Sequence, residues 1–256
     1  MRSPQLDVRG IHKKFSDRDH TIEVIRDISF QVKTGEFLSV IGPSGCGKST
    51  LFNIIAGLEP ADAGDVSVNG QQVNGHTESF AYMPQQDLLF PWRSVLANTT
   101  LGLEIQGVPL PEARQRAGAL FEHFGLAGFE NRYPHTLSGG MRQRAALLRT
   151  VVQQRPILLL DEPFGALDAL TRMQMQEWLA SMSTDDGWTV LLVTHDIREA
   201  VMLSDRIVVL TQRPTVIAAT FPVPLPRPRR LEVIADPVFV QLEMSVLRAL
   251  QPANPL

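Results

Sequence analysis

The stretch "GPSGCGKST", Gly42 to Thr50, decides the fold, because it follows a short apolar run and precedes a predicted helix. The apolar run, "EFLSVI", is typical of a buried strand, and the stretch fits the pattern G-x-x-x-x-G-K-[ST] in the strand–loop–helix setting that this motif requires. Its glycines let backbone N–H groups curl around phosphate oxygens, and the helix N-terminus adds positive potential. A glycine-rich turn with a chance lysine is the alternative, which the flanking strand and helix disfavour.

This loop predicts a nucleoside triphosphate site. We expect Lys48 to reach the β- and γ-phosphates and Ser49 to ligate Mg²⁺. The residues predicted to bind the nucleotide here are Gly42, Pro43, Ser44, Gly45, Cys46, Gly47, Lys48, Ser49 and Thr50.

Two acids end a second apolar run, "ILLLDEP". A buried strand ending in Asp161 and Glu162 places two carboxylates at the carboxyl edge of the sheet, where open α/β sheets bind ligands. We expect Asp161 to join the Mg²⁺ shell and Glu162 to accept a proton from an attacking water, with a plain surface turn as the alternative. His195 follows another apolar run, "LLVTHD", and is expected to contact the γ-phosphate or the water. The other histidines are expected to be structural.

Composition excludes several classes of protein. The 256 residues are 44% hydrophobic and 20% charged, which is ordinary for a globular domain. The net charge of -3 offers no basic excess, so nucleic acid is not an expected partner. Cys46 is the single cysteine, which excludes an intrachain disulfide and suits a reducing compartment. No apolar stretch reaches the ~18–20 residues of a membrane span, so we expect a cytosolic chain whose membrane contact runs through a partner.

The order of predicted elements indicates an α/β domain. "TIEVIRDISFQV" predicts a strand near the N-terminus, and "GDVSVNGQQV" predicts a hairpin that turns at Asn69-Gly70. Helical spacing then runs from about Ser94 to Arg155, including "PEARQRAGALFEHFGL". Apolar strands alternate with helices afterwards, which favours a parallel sheet covered on both faces. A proline-rich turn and a helix from about Pro237 to Leu250 end the chain.

The stretch "LSGGMRQR", Leu137 to Arg144, lies between the phosphate loop and the acid pair. With that spacing, the sequence resembles the ATP-binding cassette family, the nucleotide-binding subunits of ABC transporters, over nearly the whole chain. The resemblance implies a P-loop NTPase (RecA-like) core with an N-terminal antiparallel β subdomain and an inserted α-helical signature subdomain. We expect one ABC ATPase domain over residues 1–256, with 1–85 and 156–256 forming the core and 86–155 the insertion.

The resemblance also implies how two copies of the chain cooperate. In that family two chains sandwich two ATP molecules head to tail, so Ser138, Gly139 and Gly140 would touch the γ-phosphate bound by the other chain. A second anion-binding turn is useful if it supplies donors to a transition state held elsewhere. Asp168 in "GALDAL" resembles the residue that links the two sites.

Two further positions match the family with an alternative for each. Gln85 resembles the Q-loop glutamine, which contacts Mg²⁺ or water, although the neighbouring Gln86 leaves the register open. Phe15 resembles the aromatic residue that stacks on adenine, but a core aromatic in a strand would look identical.

Met141 stands where the common motif LSGGQ has glutamine, and this difference indicates a subgroup of the family. "SGGMRQR", "DEPFGALDALTR" and "LFPWRSV" together resemble the importer ATPases of the nitrate, sulfonate and taurine group, and the C-terminal helix is similar to theirs. The stretch "LLRTVVQQRP" differs from the sequence that is usual at this point, so the importers of pyrimidine precursors remain an alternative subgroup.

The resemblance implies an ATPase that uses ATP and Mg²⁺ and works as a homodimer at the cytoplasmic face of the inner membrane. A separate permease would dock near the Q-loop, where Phe90, Pro91 and Trp92 form a groove or, alternatively, a buried turn. A solute-binding protein would take part indirectly. The rivals are the ATPase of an exporter and an ABC ATPase outside transport, in DNA repair or translation.

Overall fold

The computed structural model describes residues 5–17, 20–73, 77–185 and 187–251. These residues form ten strands and seven α-helices. The strands are β1 Leu6–Asp17, β2 His20–Val32, β3 Phe37–Ile41, β4 Ala63–Val68, β5 Gln71–Gln72, β6 Phe80–Met83, β7 Ile157–Asp161, β8 Thr189–Thr194, β9 Arg206–Leu210 and β10 Ile217–Pro222. The helices are α1 Lys48–Ile55, α2 Val95–Ile105, α3 Leu110–Gly118, α4 Gly139–Val151, α5 Ala169–Asp185, α6 Ile197–Leu203 and α7 Pro237–Leu250.

Six strands build the central sheet, in the order β10-β9-β3-β8-β7-β6. All neighbouring strands are parallel except β10 and β9. Every residue of β3, β7 and β8 is buried, and successive residues of β7 belong to two different apolar clusters, so both faces of the sheet are covered. Because the parallel strands share one carboxyl edge, the segments that follow β3, β7 and β8 come together there.

The N-terminal part forms a second, antiparallel sheet in the order β2-β1-β4-β5. The predicted hairpin is confirmed: Val68 pairs with Gln71, and Asn69 and Gly70 have φ of 50° and 80°, as a tight hairpin turn requires. Strand β1 lies between β2 and β4, and its register has three irregularities against β2 and one against β4. The apolar side chains of this sheet pack with α1 in one cluster.

The helical block lies between β6 and β7 and contains α2, α3 and α4. The prediction of a helix over "PEARQRAGALFEHFGL" is wrong in its second half, because α3 ends at Gly118 and turns follow. Gly118 is a weak helix former and Gly125 has a φ of 58°, which a continuing helix would not allow. Phe121 and Phe124 are buried from these turns. The domain boundaries near residues 85 and 155 stay a prediction.

The C-terminal part packs α7 against α6 and β10. The proline-rich turn before it is held by Arg229, whose guanidinium donates to Ser204 O at 2.7 Å and Leu225 O at 2.8 Å. Burial lowers the pKa of Arg229 to about 10. Among the described residues, no helix combines the length and the apolar character that crossing a membrane requires.

Candidate functional site

The loop after β3 lies at the N-terminus of α1, as the sequence predicts. Lys48 is 7% exposed, and its Nζ donates to Gly42 O at 2.8 Å and Pro43 O at 3.0 Å. Gly47 has a φ of 120°, and a Cβ there would lie 2.7 Å from Val24 Cγ1, so glycine is required. The loop thus has the shape and the cation of a phosphate cradle.

The remaining loop residues differ in exposure. Ser44 and Gly45 are exposed, and Pro43, Ser49 and Thr50 are half-buried. Cys46 is buried, and burial raises the pKa of its thiol, so its contribution to a phosphate site is limited to its backbone.

Asp161 ends β7 and is 1% exposed. Burial raises the pKa of its carboxyl, and a hydrogen bond with Ser49 opposes that shift. Within the described part of the chain, its Oδ2 has no hydrogen-bond partner. A buried, unpartnered carboxylate oxygen beside a serine hydroxyl is the donor set that Mg²⁺ prefers, so these residues fit that metal.

Glu162 carries the carboxylate at the centre of the site. Its Oε1 lies 3.3 Å from His195 Nδ1, and its Oε2 accepts from Gln85 Nε2 at 3.2 Å. The three residues come from the ends of β7 and β8 and from the segment after β6. Of the two neighbouring glutamines, Gln85 makes this contact. A carboxylate between an imidazole and an amide can accept a proton from a bound water.

The turn formed by Ser138, Gly139 and Gly140, called the signature turn below, begins α4. Ser138 is its N-cap, and Ser138 Oγ accepts from Met141 N at 3.2 Å, which leaves the hydroxyl proton free to donate elsewhere. Ser138 and Gly139 are exposed, and Gly140 is half-buried. Among the described residues, no hydrogen bond or ion pair joins this turn to the phosphate loop of the same chain.

Phe15 and Asp168 lie on the surface. The Phe15 ring is 44% exposed, so it is not a core aromatic, and the Lys13 ammonium lies 5.1 Å from its centroid. Asp168 Oδ1 accepts from Thr171 N at 3.0 Å, and this hydrogen bond holds the pKa of the carboxyl below its usual range. Of the histidines expected to be structural, His135 stacks on Tyr133, and His76 lies outside the described residues.

Several buried polar contacts in the site were not predicted. Gln143 Nε2 donates to the backbone oxygen of Glu162 at 3.0 Å. Glu199 accepts from Gln176 Nε2 at 3.2 Å, and burial raises the pKa of Glu199 to about 8. Sequence gives one hint of such a contact, which is a polar residue on the face of a helix that packs into the core. Gln143 is an example, because it lies one turn before the buried Leu147.

The segment of residues 85–90, called the Q-loop below, is tied to α4, the signature helix, by two arginines for which the sequence gives no signal. Arg142 Nε donates to Asp87 Oδ2 at 3.0 Å, and Arg149 donates to Leu88 O at 2.8 Å and Asp87 O at 2.6 Å. These contacts join the segment after Gln85 to two points of α4 that lie two turns apart.

Comparisons with known proteins identify the family of the chain. Residues 25–165 match the family described as ABC transporter. An aliphatic sulfonates import ATP-binding protein of Bacillus licheniformis, SsuB, is 42% identical over 243 residues, covering 95% of this chain and 93% of the relative. A formylaminopyrimidine import ATP-binding protein of Halalkalibacterium halodurans, ThiZ, is 49% identical over 191 residues, covering 75% and 74%.

Solved structures give the same result for the fold. A dimeric bacterial ABC transporter cassette, MJ0796, superposes with a TM-score of 0.80 at 30% identity, covering 85% of this chain and 98% of that one. A post-hydrolysis state of the same cassette with ADP and Pi superposes with a TM-score of 0.79 at 29% identity.

The phosphate loop, the acid pair and the parallel sheet define a P-loop ATPase. The chain belongs to the ABC transporter family, whose ATP-binding subunits it matches over most of its length. The predictions of the family, the fold class and ATP as cofactor are thereby confirmed.

Proposed function

We propose that this chain is the ATP-hydrolysing subunit of an importer and works as a homodimer under a separate permease. The observation that carries this function is that both carboxylate oxygens of Glu162 are contacted, one by His195 at 3.3 Å and the other by Gln85 at 3.2 Å. The buried Asp161 precedes Glu162 in the chain. The import ATP-binding proteins among its relatives favour uptake over export.

Each part of the site has one task in this proposal. Lys48 and the loop amides bind the phosphates. Asp161 and Ser49 would hold Mg²⁺, which would neutralise charge on the phosphates when bound. Glu162 accepts a proton from the attacking water. Gln85 and His195 keep that carboxylate oriented, since each contacts one of its two oxygens. The exposed ring of Phe15 offers a stacking surface for adenine.

Glu162→Gln tests the role of the base. The amide keeps the size and the polar contacts but cannot take a proton, so we expect hydrolysis at least ~10²-fold slower with ATP binding retained and dimers accumulating. Steady-state phosphate release, a direct ATP-binding titration and size-exclusion chromatography measure the three effects. Glu112→Gln, on the exposed face of α3, is the control and should leave turnover unchanged. Wild-type turnover in Glu162→Gln would exclude the assignment.

The dimer proposal rests on the signature turn. Ser138 and Gly139 are exposed, and the Ser138 hydroxyl has a proton to donate, so the turn can serve an anion outside its own chain. The solved cassette of the same fold is dimeric. In this arrangement Asp168, which caps the start of α5, lies between the two sites. Isolated monomers are then expected to bind ATP and to hydrolyse it poorly.

The permease is proposed to dock at the exposed apolar surface around α2. Trp92 is 72% exposed and its ring lies 5.1 Å from that of Phe90, in contrast to a buried turn. At the other end of α2, Ile105 is 77% exposed and, with Leu58 and other residues, lines a cavity of about 800 Å³. The cavity is also lined by the polar residues Glu78, Gln106 and Arg155, so it suits an amphipathic helix that presents apolar and polar side chains together.

Trp92→Ala tests this docking surface. Removing a large exposed anchor of an interface is expected to weaken permease binding by about 2 kcal/mol or more and to abolish transport, while ATP binding by the isolated chain is retained. Ile22→Ala removes another exposed apolar side chain, which lies on β2, and serves as control. Pull-down with the permease and vesicle uptake are the measurements. Transport that survives in Trp92→Ala would remove the proposal.

The cargo is proposed to be a small organic anion such as an aliphatic sulfonate, delivered by a solute-binding protein to a permease whose ATPase lies at the cytoplasmic face of the membrane. A relative named for sulfonate import covers nearly the whole chain, whereas the one named for formylaminopyrimidine import matches a shorter part of it. Uptake of labelled sulfonate by the assembled transporter tests this. Uptake of a pyrimidine and not of a sulfonate would favour the second class of cargo.

A further inference from the structure

The backbone of Glu162 adopts an unusual conformation. Its φ is 50°, in the left-handed region that side chains with a Cβ disfavour. Such a conformation persists only where the surroundings over-determine it. The direction of the carboxylate depends on this backbone, because φ at Glu162 sets how its side chain leaves β7.

Backbone groups hold part of this conformation. Glu162 N donates to Val193 O at 2.9 Å, and Glu162 O accepts from Gly165 N at 3.2 Å. The first contact joins Glu162 to β8, and the second closes a short turn after it. Neither contact reaches the signature helix.

Gln143 adds a side-chain donor to the same oxygen. It lies on α4, is 7% exposed, and its Nε2 donates to Glu162 O at 3.0 Å. A buried amide is unfavourable unless its hydrogens are bonded, so this contact is specific rather than incidental. The same helix begins at the exposed turn that carries Ser138.

We propose that Gln143 is a positioning residue for hydrolysis, which holds the peptide of Glu162 so that the carboxylate lies between His195 and Gln85. The inference rests on the proposed role of Glu162 as the base. Because Gln143 and Ser138 lie on one helix, a shift of the signature turn against the partner's nucleotide moves the donor that holds the base of its own chain. The arrangement links the two sites of a dimer through α4.

Gln143→Met tests the inference, since methionine keeps the length of the side chain and removes the donor. We expect kcat to fall at least about tenfold, because small misplacements of a reacting group are costly, while the ATP dissociation constant changes by less than about twofold. Gln115→Met, the same exchange at an exposed position of α3, should leave both values unchanged. Circular dichroism checks the fold of each variant.

A double-mutant cycle separates positioning from general damage. In a Glu162→Gln background the base is already lost, so adding Gln143→Met should lower the residual rate by less than about twofold. A full tenfold further loss, or wild-type kcat in Gln143→Met, would overturn the inference. If Glu162→Gln itself keeps its turnover, the proposed function fails instead. If Gln143→Met does not fold, Gln143→Glu presents an acceptor in place of the donor, and unchanged kcat there would overturn the inference equally.

Discussion

At the scale of single residues, the site contains carboxyl groups in surroundings that disfavour their charge. Burial raises the pKa of Asp161, and it raises the pKa of Glu199 to about 8, with the charge of Asp196 adding to the effect. Asp161 is ready for a metal to stabilise its charge. Glu199 is kept a neutral acid by burial and by the charge of Asp196, and the hydrogen bond that Gln176 donates to it opposes that shift. One of these groups is therefore suited to binding and the other to packing.

Glu199 predicts how stability depends on pH. The folded state keeps its proton up to a pKa of about 8, whereas the unfolded chain releases it near 4.5, so the unfolded state binds fewer protons between these values. The contribution of Glu199 to the free energy of unfolding is therefore largest below pH 4.5 and falls as the pH rises to about 8.

Glu199→Gln should remove that dependence, because the amide does not titrate. The free energy of unfolding can be measured in urea at pH 5.5 and at pH 8. Relative to the wild type, that of the variant should increase with pH by up to about 1 kcal/mol per pH unit. Glu232→Gln, on a surface where the residue is exposed, is the control. Parallel pH profiles for wild type and Glu199→Gln would contradict this account of the buried acid.

At the scale of elements, the Q-loop is fastened to α4. Leu88 has a φ of 43°, and Arg149 donates to the carbonyls of Asp87 and Leu88 around this bend. Arg142, two turns earlier on the helix, holds the carboxylate of Asp87. The Q-loop and the signature helix are expected to move as one unit when a permease or a nucleotide displaces either.

Arg149→Met should loosen this unit. Losing two hydrogen bonds from a charged donor is expected to lower the free energy of unfolding by about 1–3 kcal/mol. Hydrogen exchange should rise at residues 86–90, whereas the central strands keep their protection. Arg116→Ala, which removes an exposed ion pair on α3, should change stability by less than about 1 kcal/mol. Unchanged exchange at residues 86–90 would show that the hydrogen bonds from Arg149 do not order this segment.

At the scale of the whole molecule, the sequence predicts those elements that a short-range sequence motif encodes. The phosphate loop, the hairpin at Asn69-Gly70 and α7 were all predicted, because each has a short-range motif. The four-residue strand β6 was not, since so short a run has no periodicity, and it is a strand because it pairs with β7.

The contacts of the site were harder to predict than its members. Glu162, His195 and Gln85 could be chosen from sequence, but the donor from Gln143 depends on how α4 packs against the segment after β7. Tertiary packing also decides that Phe15 is exposed, because alternation in β1 is interrupted by its register irregularities.

The central claim is that each hydrolytic site is shared by two chains, with the cradle in one and the signature turn in the other. Two variants test it: Lys48→Ala breaks the cradle, and Ser138→Phe blocks the turn. Each homodimer then has two broken sites. A mixed dimer has one site with Lys48 of one chain and Ser138 of the other, which is intact, and one site broken twice. Ser94→Phe also removes an N-cap serine, that of α2, and is the control for loss of a cap.

ATPase activity of the mixture is the most direct measurement. Each variant alone is expected to be inactive, and an equal mixture should recover up to about a quarter of wild-type activity, because half of the dimers are mixed and each has one intact site of two. Ser94→Phe alone should keep its activity, which shows that losing an N-cap serine does not by itself stop hydrolysis. A mixture of Lys48→Ala and Ser138→Phe that stays as inactive as its components, with mixed dimers present, would contradict the shared site.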